Sequence, residues 1–158
     1  MNYLFLSGAT DTAKTFVLDS LEMDIQNMGI TCIIRQPTSN GDFVSLLQHD
    51  IDGRYILINS ASDIQASLED LIHFVDTKCT PCNIKLDTII TSLRDSTYPQ
   101  IRQSFLNYFN ISLNDAIVDI PMGRPRTGLQ RAGSRIFLTH TTLNLIKHIL
   151  HLSPFNLI

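Results

Sequence analysis

The chain has 158 residues, of which 44% are hydrophobic and 17% charged, and its formal net charge at pH 7 is −3. A chain of this length buries enough surface for one ordinary domain, so residues 1–158 are expected to form a single domain. The composition excludes disordered and fibrous proteins. The apolar run at residues 3–6 fits neither a secretion signal nor a membrane span, which predicts a cytoplasmic protein without a transmembrane segment.

Short apolar strands alternate with amphipathic helices along the chain. Strands are predicted at residues 3–6, 30–34, 54–59, 86–92 and 116–120. Helices are predicted at about 16–28, 64–76, 99–109 and 141–152, and residues 36–53 are interpreted as a loop with one or two helical turns. This order predicts an α/β three-layer sandwich around a mainly parallel, doubly wound sheet of about five strands, similar to P-loop NTPases. Ligands are then expected at the carboxyl ends of the strands.

The segment between the first strand and the first helix has the layout of a phosphate-binding loop. Such loops place a glycine, four residues, and then glycine, lysine and a hydroxyl residue between a strand and a helix. Backbone N–H groups and the lysine bind phosphates, and the hydroxyl holds magnesium. The predicted nucleotide-binding residues are Gly8, Thr12, Ala13, Lys14 and Thr15, and Thr15 is also a predicted magnesium ligand.

Two residues of this loop depart from the consensus. Ala13 replaces the second glycine, and a Cβ there costs on the order of 1 kcal/mol if the backbone must adopt a positive φ. Asp11 repels a triphosphate unless its side chain faces outward. The alternative is that residues 10–13 only cap the first helix, with Asp11 or Thr12 as N-cap and Lys14 in solvent.

Charge is segregated along the chain. All fifteen acidic residues and seven of the twelve Lys and Arg lie at or before Asp119, so residues 1–119 carry −8 and residues 120–158 carry +5. Residues 122–135 are interpreted as a Gly- and Arg-rich loop. Three interpretations stay open: a lid that binds nucleotide through Arg124 and Arg126, a DNA surface without sequence preference, or a solvated loop. The predicted DNA-binding residues are Arg124, Arg126, Arg131 and Arg135.

Three segments together resemble the ParA/MinD branch of P-loop ATPases, the deviant Walker-type proteins that position plasmids, chromosomes and other cargo. They are residues 8–15, the strand at 54–59 with the polar residues after it, and residues 117–137 from an Ile-Pro pair to an Ala-Gly pair. The chain looks like a shortened, degenerate member. The lysine that marks the branch would fall on Ala9, and Asn59 stands where the family's strand ends in an acid, so Asp63 is the candidate second magnesium ligand.

The resemblance implies ATP and Mg²⁺ as cofactors and a homodimer or a protein partner. It further implies a switch or accessory role in positioning DNA or a cellular machine, with weak or absent ATP hydrolysis because Asn59 cannot act as a base. Two alternatives remain open. One is a small-molecule kinase or ligase of the P-loop superfamily, and the other is a non-catalytic, protein-binding scaffold, a pseudo-ATPase.

Cys79 and Cys82 have the spacing of a redox motif or of half a zinc site. A closed zinc site needs four ligands, and the sequence offers no second such pair. The two cysteines are therefore interpreted as loop and surface thiols.

Overall fold

The computed structural model describes residues 1–8, 13–38, 41–61, 64–94, 99–123 and 128–158, with side chains except at 128–135 and 138. The strands are β1 (Asn2–Ser7), β2 (Ile30–Pro37), β3 (Phe43–His49), β4 (Tyr55–Asn59), β5 (Leu86–Leu93) and β6 (Ala116–Pro121). The α-helices are α1 (Lys14–Gln26), α2 (Gln65–Phe74), α3 (Pro99–Tyr108) and α4 (Gly128–His151). A π-helical turn, Val75–Cys79, and a 3₁₀ turn, Thr80–Cys82, follow α2.

The strands form one six-stranded sheet in the order β2-β3-β4-β5-β1-β6. Neighbours pair in parallel from β4 to β6, whereas β3 runs antiparallel to both β2 and β4. The prediction of an α/β fold with a mostly parallel sheet is confirmed, and the sheet is mixed. The interpretation of residues 36–53 as loop and helical turns is wrong, because they contain the end of β2 and all of β3. The first five residues of β3 are buried, so β3 lacks the alternation that marks a half-exposed strand.

Helices cover both faces of the sheet. On one face, Leu4 and Leu6 of β1 pack in a core with residues of α1 and α4. On the other, Tyr3 and Phe5 of the same strand pack with residues of α2 and α3. Successive side chains of a strand point to opposite faces, so four consecutive residues of β1 supply both cores. Helices packed on both faces of the sheet thereby hold β1 in place.

The last helix begins much earlier than predicted. It starts at Gly128 rather than near residue 141, so the predicted loop at 122–135 is wrong in its second half. Arg131 and Arg135 lie in α4, four residues apart, whereas Arg124 and Arg126 fall outside the described residues. Across the part of the chain that the structure describes, helices are either too short or too polar to cross a lipid bilayer.

An ion pair between an exposed arginine and a buried carboxylate joins α1 to the hairpin of β2 and β3. Nη1 of Arg35 lies 2.7 Å from Oε2 of Glu22, whose side chain is 1% exposed, and Nη2 lies 2.6 Å from Oδ1 of Asp19. The hydroxyl of Ser45 also donates to Glu22, at 3.1 Å, and the guanidinium stacks 3.9 Å above the ring of Phe43. The negative charge of Glu22 is thus compensated by the Arg35 guanidinium and the Ser45 hydroxyl. A buried charge needs such partners to offset the loss of hydration.

Candidate functional site

The loop after β1 lies where the winding of the sheet changes direction. β1 leads into α1 on one face, while its neighbour β5 leads towards α3 on the other. A crevice forms between the carboxyl ends of two such strands, and open α/β sheets bind their ligands there. Gly8 donates its N–H to the carbonyl of Leu93 at the end of β5, at 3.2 Å, which fixes the beginning of the loop beside this crevice.

Lys14 is buried against the loop. Its side-chain ammonium donates to the carbonyl oxygen of Gly8 at 2.9 Å, and the residue is only 5% exposed. The alternative that placed Lys14 in solvent is therefore wrong. This bond ties the first residue of α1 to Gly8 and places a positive charge at the amino end of α1. Both the ammonium and the first N–H groups of a helix favour an anion.

Ala13 adopts the left-handed conformation, with φ of 64° and ψ of 20°. It is the N-cap of α1, so the alternative with Asp11 or Thr12 as N-cap is wrong. Its carbonyl still accepts the first helical bond, from the N–H of Val17 at 3.0 Å. The consensus glycine is therefore replaced at a position where alanine is strained by about 1–2 kcal/mol.

We expect Ala13→Gly to leave the protein equally stable or up to about 1 kcal/mol more stable, since relief of the strain exceeds the added entropy of the unfolded chain. Ala66→Gly, at an exposed position within α2, serves as the control and should destabilise by up to about 1 kcal/mol. Urea unfolding measures both. Equal losses in the two variants would contradict the left-handed assignment.

Asp42 is a site residue that the sequence analysis missed. The Thr15 hydroxyl donates to Oδ1 of Asp42 at 2.6 Å, and the buried Ser60 hydroxyl lies 3.2 Å from the same oxygen. Ser60 Oγ also accepts the N–H of Phe43 at 2.8 Å, which attaches the start of β3 to the end of β4. The hairpin between β2 and β3 therefore brings a half-buried carboxylate to the first turn of α1.

Asn59 has a structural role at the end of β4. The residue is fully buried, and its amide nitrogen donates to the carbonyl of Ala61 at 2.6 Å and to the Thr91 hydroxyl at 3.0 Å. These bonds tie the carboxyl end of β4 to β5. Both need an N–H donor, which an aspartate lacks. Asn59 is thus a hydrogen-bond donor that joins the ends of β4 and β5. Among the described residues, the carboxylate next to the end of β4 is that of Asp42, which contacts Ser60.

The oxygens around Thr15 fit a hard cation. Mg²⁺ takes oxygen ligands, keeps several waters, and is usually bound by one or two carboxylates together with phosphates. The Thr15 hydroxyl and the Asp42 carboxylate supply two such oxygens on adjoining elements, with the Ser60 hydroxyl behind them. Among the residues with described side chains, no cluster of three or more His, Cys, Asp or Glu is placed to hold a metal. A cation held by these two oxygens would take its remaining ligands from water or from a bound anion.

A hollow of about 310 Å³ adjoins Asp42. Its walls come from β2, the β2–β3 turn and the start of β3, and include Arg35, Gly41 and Phe43. The hollow is large enough for a small organic group beside the carboxylate.

The structure brings together four of the predicted binding residues. Gly8, Ala13, Lys14 and Thr15 lie at the carboxyl end of β1 and the first turn of α1. The predicted site residues that fall outside the described residues are Thr12, Asp63, Arg124 and Arg126. Arg131 and Arg135 are described only as helical backbone, so their predicted contact with DNA stays a prediction. A Gly-Asp pair just before an apolar run was the available signal for Asp42.

The two cysteines of the redox-like motif differ in environment. Cys79 is buried at the end of the π-helical turn, and Cys82 is exposed. The interpretation of both as loop or surface thiols is therefore wrong for Cys79. Burial, and secondarily the neighbouring Cys82, raises the pKa of the Cys79 thiol from 9.0 to about 11.

Because the folded protein holds the Cys79 proton more tightly than the unfolded chain, the resulting stability is complete below pH 9 and is lost as the pH rises towards about 11. We expect the urea concentration at the midpoint of unfolding to decrease as the pH rises from 9 towards about 11. Cys82→Ser should preserve the fall, whereas Cys79→Ala should flatten it. A fall that is equally steep in Cys79→Ala would contradict the assignment.

No family model and no curated protein matches the chain. A solved structure described as EndoMS in apo form is similar over 68% of this chain, with 14% sequence identity and a TM-score of 0.39. The similar region spans 46% of that chain. A likeness of this size carries no argument about fold family or function.

Proposed function

We propose that this protein binds ATP with Mg²⁺ at residues 8–15 and acts as a ParA/MinD-like switch or accessory partner with weak or absent hydrolysis. The observation that carries the proposal is the pairing of a buried lysine with a hydroxyl–carboxylate contact at one strand end. Lys14 is bonded to the carbonyl of Gly8, and Thr15, the next residue, contacts Asp42. Anion binding and cation binding are thus adjacent, as a magnesium–nucleotide complex requires.

Each residue has a distinct task in this proposal. Lys14 and the first N–H groups of α1 bind the terminal phosphates. Thr15 and Asp42 hold Mg²⁺, which neutralises phosphate charge when it is bound. The position of the loop at the crevice between β1 and β5 supports the same ligand, since dinucleotides and flavin phosphates bind at such crevices in other α/β sheets.

Weak hydrolysis follows from the side chains around the ligand. A general base must take a proton from the attacking water, and Asn59, at the end of β4, has no basic carboxylate. Asp42 would be occupied by the cation. A protein that binds ATP and hydrolyses it slowly is suited to a switch, in which the bound state lasts long enough to recruit a partner. The partner and any DNA contact through α4 remain proposals that rest on the resemblance.

Calorimetry with the matched variant Asp42→Asn tests this function. Titration of the whole chain with ATP should give saturable heat with Kd below about 1 mM in Mg²⁺, and at least about tenfold weaker binding without Mg²⁺. Asp42→Asn keeps an acceptor for Thr15 but removes the charge, so the advantage of Mg²⁺ should disappear.

The control is Asp50→Asn. Asp50 accepts from the Thr31 hydroxyl at 2.7 Å, a pair of the same chemistry at the opposite edge of the sheet, and its loss should leave ATP binding unchanged. Absence of heat with both ATP and ADP would refute nucleotide binding. An equal magnesium advantage in Asp42→Asn would refute the role of Asp42.

A further inference from the structure

The segment that joins α2 to β5 carries two free thiols on one turn of chain. Cys79 ends the π-helical turn, and Cys82 ends the 3₁₀ turn that follows it. Cys79 is also the N-cap of the 3₁₀ turn, with a right-handed helical φ of −92° and ψ of −50°. Side chains at positions i and i+3 of a 3₁₀ turn eclipse one another, and the two cysteines have this spacing. The charge of Cys82 is accordingly one of the two causes that raise the pKa of Cys79.

Hydrogen bonds hold this turn in place. The N–H of Asn83 donates to the carbonyl of Thr80 at 3.0 Å, and the N–H of Ile84 donates to the carbonyl of Cys79 at 3.0 Å. The hydroxyl of Thr80 donates to the carbonyl of Val75 at 3.2 Å, which joins the 3₁₀ turn to the π-helical turn. A disulfide needs Cα atoms about 4–7 Å apart, and three residues of a 3₁₀ turn rise about 6 Å. The two thiols can therefore be joined without unfolding the turn.

The two thiols differ in how a reagent can reach them. Cys79 is 2% exposed and belongs to a core cluster with Leu71 and Phe74 of α2, whereas Cys82 is exposed. Burial also keeps Cys79 protonated at neutral pH, because it contributes most to raising the pKa to about 11. The thiolate is the nucleophile in disulfide chemistry. Cys82 is therefore placed to react first with a reagent from solvent, and Cys79 is placed to react with Cys82.

We propose that Cys79 and Cys82 form a thiol–disulfide exchange site whose substrate is a low-molecular-weight disulfide. The Cys82 thiolate attacks one sulfur of the substrate, which breaks the substrate S–S bond, forms a mixed disulfide and releases one thiol. Cys79 then gives up its proton and attacks the sulfur of Cys82, which forms the Cys79–Cys82 bond and releases the second thiol. The protein loses two electrons and two protons, and one disulfide becomes two thiols.

The place of the pair in the fold favours the disulfide form. Both cysteines follow the carboxyl end of α2, where the partial charge of a helix is negative and does not stabilise a thiolate. Strongly oxidising pairs instead stabilise their reduced form through a thiolate of low pKa. The pair is therefore expected to reduce small disulfides rather than to oxidise thiols. The site precedes the amino end of β5, whereas Lys14 follows the carboxyl end of β1, so the proposal does not depend on nucleotide binding.

Incubation of the reduced full chain with glutathione disulfide, followed by mass spectrometry, tests the proposal. The folded chain should lose two hydrogen atoms, and peptide mapping should find the new bond between Cys79 and Cys82. In a glutathione buffer with about a tenfold excess of thiol over disulfide, most of the chain should remain in this oxidised form.

Variants separate the two steps. Cys79→Ala should stop the reaction at the mixed disulfide, so that the chain gains one glutathione on Cys82 at a rate within about twofold of that of the unaltered protein. In Cys82→Ser, glutathione should add to the buried Cys79 at least about tenfold more slowly. The control Cys32→Ser removes the third cysteine, which is half-buried in β2, and should change neither the rate of oxidation nor the position of the bond.

Three results would overturn the proposal. The first is an unaltered chain that stays unreacted at Cys82 or stops there at the mixed disulfide, which would show that Cys79 does not resolve it. The second is a bond to Cys32, or equal reactivity of Cys79 and Cys82 in the folded chain. The third is a chain that is fully reduced in the glutathione buffer, which would reverse the direction of electron transfer.

Discussion

Replacing Arg35 by methionine is expected to lower the free energy of unfolding by about 1–3 kcal/mol, because it leaves the buried carboxylate of Glu22 without a cation. Methionine keeps much of the apolar contact with Phe43. The decrease in the free energy of unfolding therefore measures the loss of the positive charge rather than a loss of packing. The hydroxyl of Ser45 still donates to Glu22 but cannot offset its charge. Urea unfolding monitored by circular dichroism measures the change in the free energy of unfolding. Its slope against urea concentration, the m-value, should equal that of the unaltered protein if the unfolded state is the same.

Two further variants separate burial from charge. Asp19→Asn removes the other partner of Arg35, whose side chain is 40% exposed, and should cost less than about 1 kcal/mol. Glu22→Met combined with Arg35→Met removes both charges of the pair and should recover at least half of the loss, since no buried carboxylate is then left unpaired. A double variant as unstable as Arg35→Met alone would show that packing, and not the unpaired carboxylate, sets the cost.

Lys14→Met should weaken ATP binding at least about 30-fold, equivalent to about 2 kcal/mol, because charge-assisted bonds to phosphate are lost. Methionine fills a similar volume, so the fold should persist. The control Lys147→Met removes a positive charge that pairs with Asp24 at 2.9 Å on the far half of α1. It should leave ATP affinity unchanged. Unchanged ATP affinity in Lys14→Met would remove residues 8–15 as the phosphate site.

The elements that the sequence predicted well are those whose burial follows a simple pattern. β1, β5 and β6 are apolar runs bounded by polar residues, and α1 repeats its buried residues at three- and four-residue steps. β3 was missed because its side chains are buried in the cores on both faces of the sheet, so it lacks alternation, and because its pairing with β4 is not local in sequence. The first turns of α4 were missed since the glycine and arginine residues there are typical of loops.

The sequence predicted those residues of the candidate site that lie in one local motif and missed those that long-range strand pairing brings together. Lys14 and Thr15 belong to one continuous motif, so their chemistry could be derived from spacing alone. Asp42 lies 27 residues from Thr15 and reaches it only through a hairpin whose strand was not predicted. The donor role of Asn59 depends on the Thr91 hydroxyl of a neighbouring strand, 32 residues away. Contacts of this kind depend on strand order, which local patterns do not encode.

Both edge strands of the sheet end in proline, Pro37 in β2 and Pro121 in β6. The next residues, Thr38 and Met122, donate their N–H groups inward, to the carbonyls of Asp42 and Ser7. Successive N–H groups of a strand alternate in direction, so each proline lies where a donor would otherwise face an added strand. Each edge strand therefore lacks one outward donor at the end of the sheet that carries Lys14, which disfavours the addition of a further strand there.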